Sequence, residues 1–429
     1  MADAGGQQSG RRELFAKEIE ALPEDQREVA VALAVAAAVA PIFKLLPEAF
    51  ELSKSLKDYG MDSLMALEVQ VALEENLGVE MSTMELLAGR SVQSLALAVL
   101  KRVSDGAEVI PPSGVLRQGT ATPAGDLAEY FLERICVQRP YFALREIARE
   151  GDWLVASAQP TLPMAGEGGA VSLAEAARHT AILGSCAARL LDPREGRIYY
   201  PVRTARLVES DQNLSVPLSE VEVRARAISY DAKSSLAYAE ARLVSRQGQL
   251  ICAFEIGFHV IPEAQFELLF SKNFQPTVQA IAHNPYEYWR RLPALTLLET
   301  GAEVVLGEVD AANCLGHFVN YPAYPVSMMA RDATSAVLET LRRRMGWPKA
   351  RIQTVGGTAG TTRFVFAGEE LKLVARHVQG SDEEQTWRAS FEVDGEECAW
   401  FEMAVIIDEA SGSLQSTRVG PAEDTELIA

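Results

Sequence analysis

The first hundred residues carry apolar side chains at the spacing of helices. Leu64, Leu67 and Val71 recur every three or four positions and therefore share one face of a helix. Pro23, followed by two acidic residues, is typical of a helix start. The pattern predicts a compact unit of four helices: Pro23–Ala40, Ser63–Asn76, Thr83–Ala88 and Ser91–Val103.

Beyond residue 124 the pattern changes to long helices followed by strands rich in apolar residues. The predicted elements are, in order, helices Leu127–Cys136 and Ser172–Leu191, strands Arg197–Glu209 and Val221–Tyr230, hairpin Leu236–Val260, strand Ala302–Val309, helix Val326–Gly346, strands Arg351–Phe366 and Leu371–Val378, and hairpin Thr386–Ile407. The two hairpins turn at Gly248 and Gly395, at matching places in two similar sets of elements. This order predicts two copies of one α+β unit, each a long helix followed by a curled antiparallel sheet.

The length of the chain fits this organisation. It has 429 residues, of which 48% are apolar and 23% are charged, as in a globular protein with sizeable cores. Domains contain about 100–150 residues, so we expect about three. The predicted divisions are a disordered start (1–22), the helical unit (23–104), a linker rich in Pro, Gly, Ser and Thr (105–123), two α+β units (124–270 and 284–410) and a disordered end (411–429).

The charge is strongly negative. Lys and Arg number 40, whereas Asp and Glu number 59, which gives a net charge of −19. This argues against nucleic acid or an anionic membrane as the main partner, because both require a basic surface. Residues 58–89 hold seven acidic residues and no Lys or Arg. A partner of this stretch should therefore be basic.

The cysteines lie far apart and form no Cys-x-x-Cys pair: Cys136, Cys186, Cys252, Cys314 and Cys398. Since the N-terminus also lacks a signal-like segment, we expect reduced thiols in a cytoplasmic protein. No cluster of Cys and His has ligand spacing, and no metal site is expected. The apolar run from Val29 to Leu46 is mostly alanine and is interrupted by Pro41 and Lys44, which favours a buried helix over a membrane span.

The first motif with chemical meaning is Gly-Met-Asp-Ser-Leu, from Gly60 to Leu64. Gly60 permits a tight turn into the second helix, and the hydroxyl of Ser63 stands at the start of that helix. A helix N-terminus accommodates a phosphodiester, because its backbone N–H groups favour anions. The alternative is an ordinary helix cap, since serine is a preferred capping residue.

The wider segment Leu56–Glu68 resembles the attachment site of the acyl carrier proteins of polyketide synthases. The Asp-Ser-Leu core, the preceding glycine, the acidic second helix and the four-helix pattern match over about residues 24–103. The resemblance implies that Ser63 carries a covalent 4′-phosphopantetheine. It also implies partners: a phosphopantetheinyl transferase, and polyketide or fatty acid synthase enzymes that dock on the acidic helix. The rim of the chain's own α+β units is a further surface for that helix.

His317 is the second candidate for chemistry. It stands in a loop of glycine, asparagine and proline, Leu315–Val326, directly before a long helix. Histidine titrates near neutral pH and is therefore suited to general base catalysis. The alternative is a structural histidine that its neighbours satisfy.

This loop resembles the active-site loop of the hotdog-fold β-hydroxyacyl-carrier dehydratases, which have Gly-His-Phe, two later prolines and a long central helix. Pro322 and Pro325 match the two prolines. The family has a glycine after the second proline, and its N–H holds the thioester carbonyl. That position is Val326 here, whose N–H remains available. The family's carboxylate, fourteen residues after the histidine, is replaced by Arg331.

The missing carboxylate is found in the first α+β unit. In this family, dimers of hotdogs or fused double hotdogs take the histidine and the acid from opposite halves. The first long helix resembles the family's helix, with Glu175 followed one turn later by His179, which could orient the carboxylate. Thr161 stands where this half would carry its own histidine. The resemblance therefore implies one complete site, from His317 and Glu175, and one empty site, from Thr161 and Arg331.

Together these features predict an all-α acyl carrier bundle followed by an α+β double hotdog that acts as a dehydratase, a lyase of polyketide or fatty-acid-like biosynthesis. His317 would remove the α-proton of a β-hydroxyacyl thioester, and Glu175 would assist the departing hydroxyl. The expected substrate pocket and oxyanion site comprise Gly316, Val326, Tyr321 and Tyr324.

Several alternatives stay open at this point. The hotdog could be a thioesterase or an acyl-transfer domain acting on the tethered chain, or a degenerate platform for docking. Glu175 could be a solvated residue on an exposed helix face. Cys314 is not expected to be a nucleophile, because one cysteine three residues before a histidine is not a catalytic pair. A homodimer through the hotdog sheets is compatible with this fold.

Overall fold

The computed structural model contains a helical unit and a larger unit built on one sheet. It describes residues 15, 17, 19, 21–61, 63–79, 81, 85–86, 90–104, 126–211, 217–231, 235–276, 284–288, 291–345, 348–381 and 383–409. The helices are α1 (Glu24–Val39), α2 (Ser63–Leu77), α3 (Val92–Ser104), α4 (Leu127–Leu132), α5 (Leu173–Leu191), α6 (Glu263–Leu269) and α7 (Val326–Met345). The strands are β1 (Arg145–Glu150), β2 (Trp153–Ala158), β3 (Ile198–Tyr199), β4 (Val202–Ser210), β5 (Val221–Asp231), β6 (Leu236–Val244), β7 (Leu250–His259), β8 (Ile261–Pro262), β9 (Leu295–Leu298), β10 (Gly301–Glu308), β11 (Ala350–Thr361), β12 (Glu370–Gly380), β13 (Glu384–Val393) and β14 (Glu396–Glu409).

Helices α1, α2 and α3 pack around one apolar core. The fourth predicted helix, Thr83–Ala88, lies partly outside the described residues. The predicted end of the first helix, at Ala40, is confirmed within one residue, whereas the apolar run Val29–Leu46 is helical and buried only in part. Helix α1 ends at Val39, because the ring of Pro41 would clash with the preceding turn of a continued helix. Val29 and Leu33 are also largely exposed, at 56% and 55%.

One antiparallel sheet of twelve strands forms the larger unit, in the order β1-β2-β5-β6-β7-β4-β11-β14-β13-β12-β10-β9. Each half of the sheet wraps a long central helix, α5 in the first half and α7 in the second. This is a double hotdog, and the prediction of two copies of one α+β unit is confirmed. The hairpins turn at Gly248 and Gly395, whose φ angles of +79° and +82° suit glycine.

Strands β4 and β11 join the two halves. They pair antiparallel, with Leu207 opposite Gly357 and Thr204 opposite Gly360. Helices α5 and α7 pack against each other over this junction. A single apolar core therefore extends through both halves.

Glu167, in the glycine-rich loop before α5, also links the halves. Its carboxylate accepts hydrogen bonds from the Leu173 backbone N–H at 2.9 Å and from the Thr334 hydroxyl of α7 at 3.2 Å. Burial raises the pKa of Glu167 to about 7, although both hydrogen bonds oppose that shift. Near neutral pH this carboxyl is therefore partly protonated.

The start of each half departs from the predicted elements. The sequence pattern did not indicate β1, β2 or β9, which extend the outer edges of the sheet. Helix α4 ends at Leu132 and not at the predicted Cys136. The reason is that the Cys136 N–H donates to the Ile198 carbonyl at 3.0 Å, so this segment pairs as extended chain.

The five cysteines are buried and free. Burial raises the pKa of the Cys314 thiol, which therefore stays protonated and is a poor nucleophile. None of the helices in the described part of the chain combines the length and the apolar character that a membrane span requires. The predicted linker (105–123) and the predicted disordered end (411–429) lie outside the described residues, as do most of residues 1–22.

Replacing Leu183 tests the shared core. Leu183 lies on α5 and is fully buried, so Leu183→Ala should lower the free energy of unfolding of the hotdog unit by about 2–5 kcal/mol through lost burial and a cavity. The measurement is denaturant unfolding followed by tryptophan fluorescence, since all five tryptophans lie after residue 150. Leu268→Ala, at a position that is 57% exposed, is the control. Equal shifts for both variants would contradict this core.

Candidate active site

The loop that carries His317 has a strained backbone. Gly316, Phe318 and Asn320 have φ angles of +77°, +60° and +65°. Residues other than glycine adopt this region rarely, and such strain concentrates at functional sites. A Cβ at Gly316 would collide with the carbonyl oxygen of Gln138, so the position requires glycine.

The first half of the double hotdog helps to hold this loop of the second half. The Gln138 N–H donates to the Gly316 carbonyl at 2.8 Å, and Val137 forms an antiparallel bridge with His317. His317 therefore lies at the boundary between the halves, as the resemblance implied.

His317 is held neutral with a defined tautomer. Its Nδ1–H donates to the Ala323 carbonyl at 2.8 Å, and because a carbonyl only accepts, Nδ1 carries the proton. Burial lowers the pKa of His317 to about 4, although this hydrogen bond opposes the shift. At neutral pH the Nε2 lone pair is therefore free to accept a proton.

Glu175 is a buried carboxylate, and the alternative of a solvated surface residue is wrong. Only 2% of it is exposed. Its oxygens accept hydrogen bonds from the Thr161 backbone N–H at 2.9 Å and from Arg178 at 3.0 Å, and one lies 3.2 Å from His179 Nε2. Burial would raise the pKa of Glu175, but the hydrogen bond to His179 and the charge of Arg178 outweigh it, and the pKa is lowered. Glu175 is therefore ionised.

His317 and Glu175 are connected through other side chains and not by a hydrogen bond of their own. The Tyr141 ring lies 4.9 Å from the His317 ring and 5.1 Å from the Tyr286 ring. The Arg178 guanidinium lies 5.1 Å from the centre of the Tyr286 ring, and Arg178 is the ion-pair partner of Glu175. The two halves thus contribute to one continuous set of polar and aromatic groups.

Tyr141, Tyr286 and Arg178 were missed by the sequence analysis. Arg178 could have been found, because it lies three residues after Glu175 and so shares its helix face. The two tyrosines carry no such signal, since they lie in loops far apart in the sequence. Arg178 is 2% exposed, and its Nε and Nη1 donors have no hydrogen-bond partner among the described residues. Such unpaired buried donors are costly unless a ligand completes them.

Helix α7 begins beside this site. The Tyr141 hydroxyl lies 3.1 Å from the hydroxyl of Ser327, the second residue of α7. The first N–H groups of a helix have no partner within the helix, so the N–H groups of Val326 and Ser327 can face an anion. The expected oxyanion position at Val326 is thus at a helix N-terminus close to His317.

The predicted empty site is filled by protein groups. Arg331 Nη2 lies 2.7 Å from Asp332 and 3.0 Å from the Tyr324 hydroxyl, which itself donates to Asp332 at 2.7 Å. Thr161 supports Glu175 through its N–H. Tyr324, expected in the substrate pocket, is therefore part of a buried polar cluster on the helix side of the loop.

Tyr321 belongs to a group of side chains that we call the aromatic cluster: Tyr199, Phe266, Phe270, Phe318, Tyr321 and Phe366. Within it the rings of Tyr199 and Phe266 stack at 3.7 Å. Phe318 also stacks on the His317 ring, with centroids 4.2 Å apart. The cluster therefore forms one wall of the His317 environment.

Ser63 is the first residue of α2, preceded by Gly60 with a φ angle of +87°. Its side chain lies outside the described part of the structure. The backbone nevertheless fits a phosphodiester, because a serine hydroxyl at a helix start combines an attachment point with the N–H groups that favour an anion. The expected position of the phosphopantetheine is compatible with the local fold.

Comparison with known proteins identifies the helical unit. Residues 34–99 match the family model for the phosphopantetheine attachment site. Polyketide synthase ThaG of Burkholderia thailandensis is 39% identical over 67 residues, which is 16% of this chain and 1% of that protein. The highly reducing polyketide synthase sdnO of Sordaria araneosa is 35% identical over 102 residues, 23% of this chain and 3% of that protein. The chain thus spans a very small part of these relatives, and its first unit is a phosphopantetheine-bearing carrier domain.

Solved structures are similar to part of this chain. The 12:0-ACP thioesterase from Umbellularia californica is 10% identical, with a TM-score of 0.40, over 59% of this chain and 94% of that chain. The dehydratase domain of RzxB from Pseudomonas fluorescens is 13% identical, with a TM-score of 0.38, over 62% of this chain and 98% of that chain.

Gly316→Ala tests whether the strained loop is required. The added methyl group meets the Gln138 carbonyl, so we expect a loss of about 1–3 kcal/mol beyond the cost of the positive φ angle. Gly248→Ala is a matched control, because its φ angle is also near +80° but nothing lies within 4 Å of the new Cβ. Thermal unfolding by tryptophan fluorescence compares the two. If Gly316→Ala were no more damaging than Gly248→Ala, the close contact with the first half would be incorrect.

Proposed function

We propose that this chain is an acyl carrier–dehydratase didomain of polyketide or fatty-acid-like biosynthesis. In this chain a phosphopantetheine attachment domain is fused to a double hotdog. The observation that carries the dehydratase is His317, a half-buried neutral imidazole with its proton on Nδ1 and its lone pair on Nε2. A neutral imidazole with a lone pair on Nε2 can accept the α-proton of a thioester.

The carrier part of the proposal assigns Ser63 as the attachment residue. When bound, the phosphopantetheine carries the acyl chain as a thioester. We propose the limits 23–104 for the carrier, 105–123 for a linker, and 124–270 and 284–410 for the two hotdog halves. A phosphopantetheinyl transferase and polyketide synthase enzymes would be its partners, in the cytoplasm, and a homodimer through the hotdog sheets stays a prediction.

The reaction can be assigned to named groups. His317 Nε2 takes the α-proton, and the N–H groups at the start of α7 stabilise the charge that develops on the thioester carbonyl oxygen. The bond between Cβ and the hydroxyl oxygen then breaks as the Cα–Cβ double bond forms. The departing hydroxyl takes the proton back from Nε2 and leaves as water, so atoms and electrons balance.

Glu175 does not act as a proton donor in this proposal. Because its pKa is lowered, it is a carboxylate at neutral pH and has no proton to give. We assign it to orient the β-hydroxyl as a hydrogen-bond acceptor and to fix Arg178, whose unpaired N–H groups can donate to a substrate oxygen. The expectation that Glu175 assists the hydroxyl is thus retained, with orientation in place of protonation.

A thioesterase is the second candidate, and one observation favours it. An ionised buried carboxylate can serve as a general base for water, which would hydrolyse the thioester and release the free acid. In that case Glu175 would be essential, while His317 would be only a wall of the pocket. The same variants therefore separate the two reactions.

The mass of the chain tethered to the protein decides between these functions. With a β-hydroxyacyl group loaded on Ser63, dehydration predicts loss of the mass of one water, whereas hydrolysis predicts loss of the whole acyl group.

His317→Ala should slow water loss by about 10²–10⁴-fold, the usual contribution of a general base. Glu175→Gln should slow it as well, and Ser63→Ala should abolish loading. His377→Ala, in strand β12, is the control. Water loss that persists unchanged in His317→Ala would refute the assignment, and an unchanged mass in the parent protein would favour the docking platform.

The pH dependence of water loss is a further test. His317 works only when neutral, and its pKa lies at about 4 and not at the usual 6.5. The rate should therefore stay constant as pH falls through 6.5 and decline only as pH falls through about 4. Rapid mixing into buffers of defined pH gives this profile, with fluorescence at each pH to confirm that the protein remains folded. A decline centred near 6.5 would place the base in a solvated position and contradict the buried one.

A further inference from the structure

Leu67 of the carrier is buried by the hotdog unit. It lies on α2, one helical turn after Ser63, and only 3% of it is exposed. It packs with the aromatic cluster, which otherwise consists of residues from the two hotdog halves. An apolar side chain on the face of a carrier helix is thus removed from water by another domain of the same chain.

The next residue makes a charged contact at the edge of this apolar one. Glu68 accepts hydrogen bonds from Arg203 at 3.0 and 3.3 Å and lies 3.1 Å from His259 Nε2. Burial would raise the pKa of Glu68, but the hydrogen bonds from His259 and Arg203 outweigh it and lower the pKa to about 2. The carboxylate is therefore charged throughout the physiological range, and it faces a basic group on each of two neighbouring strands, β4 and β7.

The second contact between the units has the opposite polarity. Lys44, after helix α1, lies 3.5 Å from Glu397, which also binds Arg388. The pair is more exposed, and exposed ion pairs contribute little energy, so it adds orientation more than affinity. The carrier contributes the acidic group, Glu68, at one contact and the basic group, Lys44, at the other. The two contacts together therefore favour one orientation of the carrier on the hotdog unit.

The contact with Leu67 is also continuous with the candidate active site. Phe318, a member of the aromatic cluster, stacks on the His317 ring. Helix α2, through Leu67, and the His317 imidazole therefore both pack against the aromatic cluster.

We propose that Arg203, His259 and the aromatic cluster form a docking face for this chain's own carrier. Leu67 and Glu68 bind that face, and the carrier thereby presents a chain attached at Ser63 to the His317 site of the same molecule. The inference rests on the proposed function for what is delivered, but the docking contact itself does not. Because carrier and docking face share one chain, association is intramolecular and is governed by a local concentration that dilution does not change.

Hydrogen exchange in the full chain without a loaded group tests docking independently of catalysis. Peptides from residues 261–270, which include Phe266 and Phe270, should exchange faster in Glu68→Arg and in Arg203→Glu. The double variant Glu68→Arg with Arg203→Glu should restore protection, because the pair is recovered with its charges exchanged. Arg206→Glu is the matched control: it is on the same strand, and its ion pair with Glu255 is mostly exposed. Unchanged exchange in both single variants would overturn the docking face.

The rate of water loss from a β-hydroxyacyl group loaded on Ser63 tests whether the docking face delivers the chain to the His317 site. We compare water loss from the chain on Ser63 with water loss from the same β-hydroxyacyl group on a short free thiol. In Glu68→Arg the ratio of the first rate to the second should fall about tenfold or more, as for loss of a half-buried charge pair, and the double variant should recover it. A ratio that does not change would overturn delivery through this face. If the parent protein dehydrates neither substrate, the proposed function fails, whereas hydrogen exchange still decides whether the docking face exists.

A mixing experiment distinguishes delivery within one chain from delivery between chains. Loaded His317→Ala is mixed with Ser63→Ala, so that water loss requires a carrier and a hotdog from different molecules. Delivery within the chain predicts that the mixture reacts much more slowly than the loaded parent protein and slows further on dilution, whereas the parent does not. If the mixture loses water as fast as the loaded parent protein at every concentration, the carrier delivers its chain to other molecules.

Discussion

The pairing of β4 with β11 is the constraint on which the hotdog unit depends. It fuses two antiparallel sheets into one, brings α5 and α7 into contact and places the loop before α7 against the first half. Glycines of β11 also permit its close approach to β14 on the other side: a Cβ at Gly357 would collide with the Glu402 carbonyl, and one at Gly360 would lie 2.8 Å from the indole nitrogen of Trp400. The proposed site takes His317 from one half and Glu175 from the other, and it depends on the joining of these strands.

Burial then sets the charges of that site in opposite directions. His317 has no anionic partner, and burial alone makes it neutral. Glu175 is also buried, with only 2% exposed, but Arg178 and His179 compensate its charge, so it stays ionised. Different surroundings thus give one group a neutral form and the other a charged form at the same pH, as the proposed reaction requires. The same principle acts at the docking contact, where Arg203 and His259 keep Glu68 charged.

Much of this organisation was predictable because its signals are local. Helical spacing and turn residues placed α2, α5, α7 and the hairpins at Gly248 and Gly395 within a few residues. The strands β1, β2 and β9 were missed because strands of four to six residues are too short to show a period. The end of α4 was misplaced because its last predicted turn pairs instead with Ile198, a residue more than sixty positions later.

The sequence by itself determined the carrier domain, the duplicated hotdog and the residue types at Ser63, His317 and Glu175, because motif and periodicity are properties of neighbouring residues. Only the tertiary structure decided the charge of Glu175, the presence of Tyr141 and Tyr286 between the two halves, and the partner of Glu68. These depend on burial and on contacts between residues distant in the chain, which no local pattern records. The aromatic cluster shows this most clearly: its rings come from four separate segments, and Leu67 of the carrier joins them only in the folded protein.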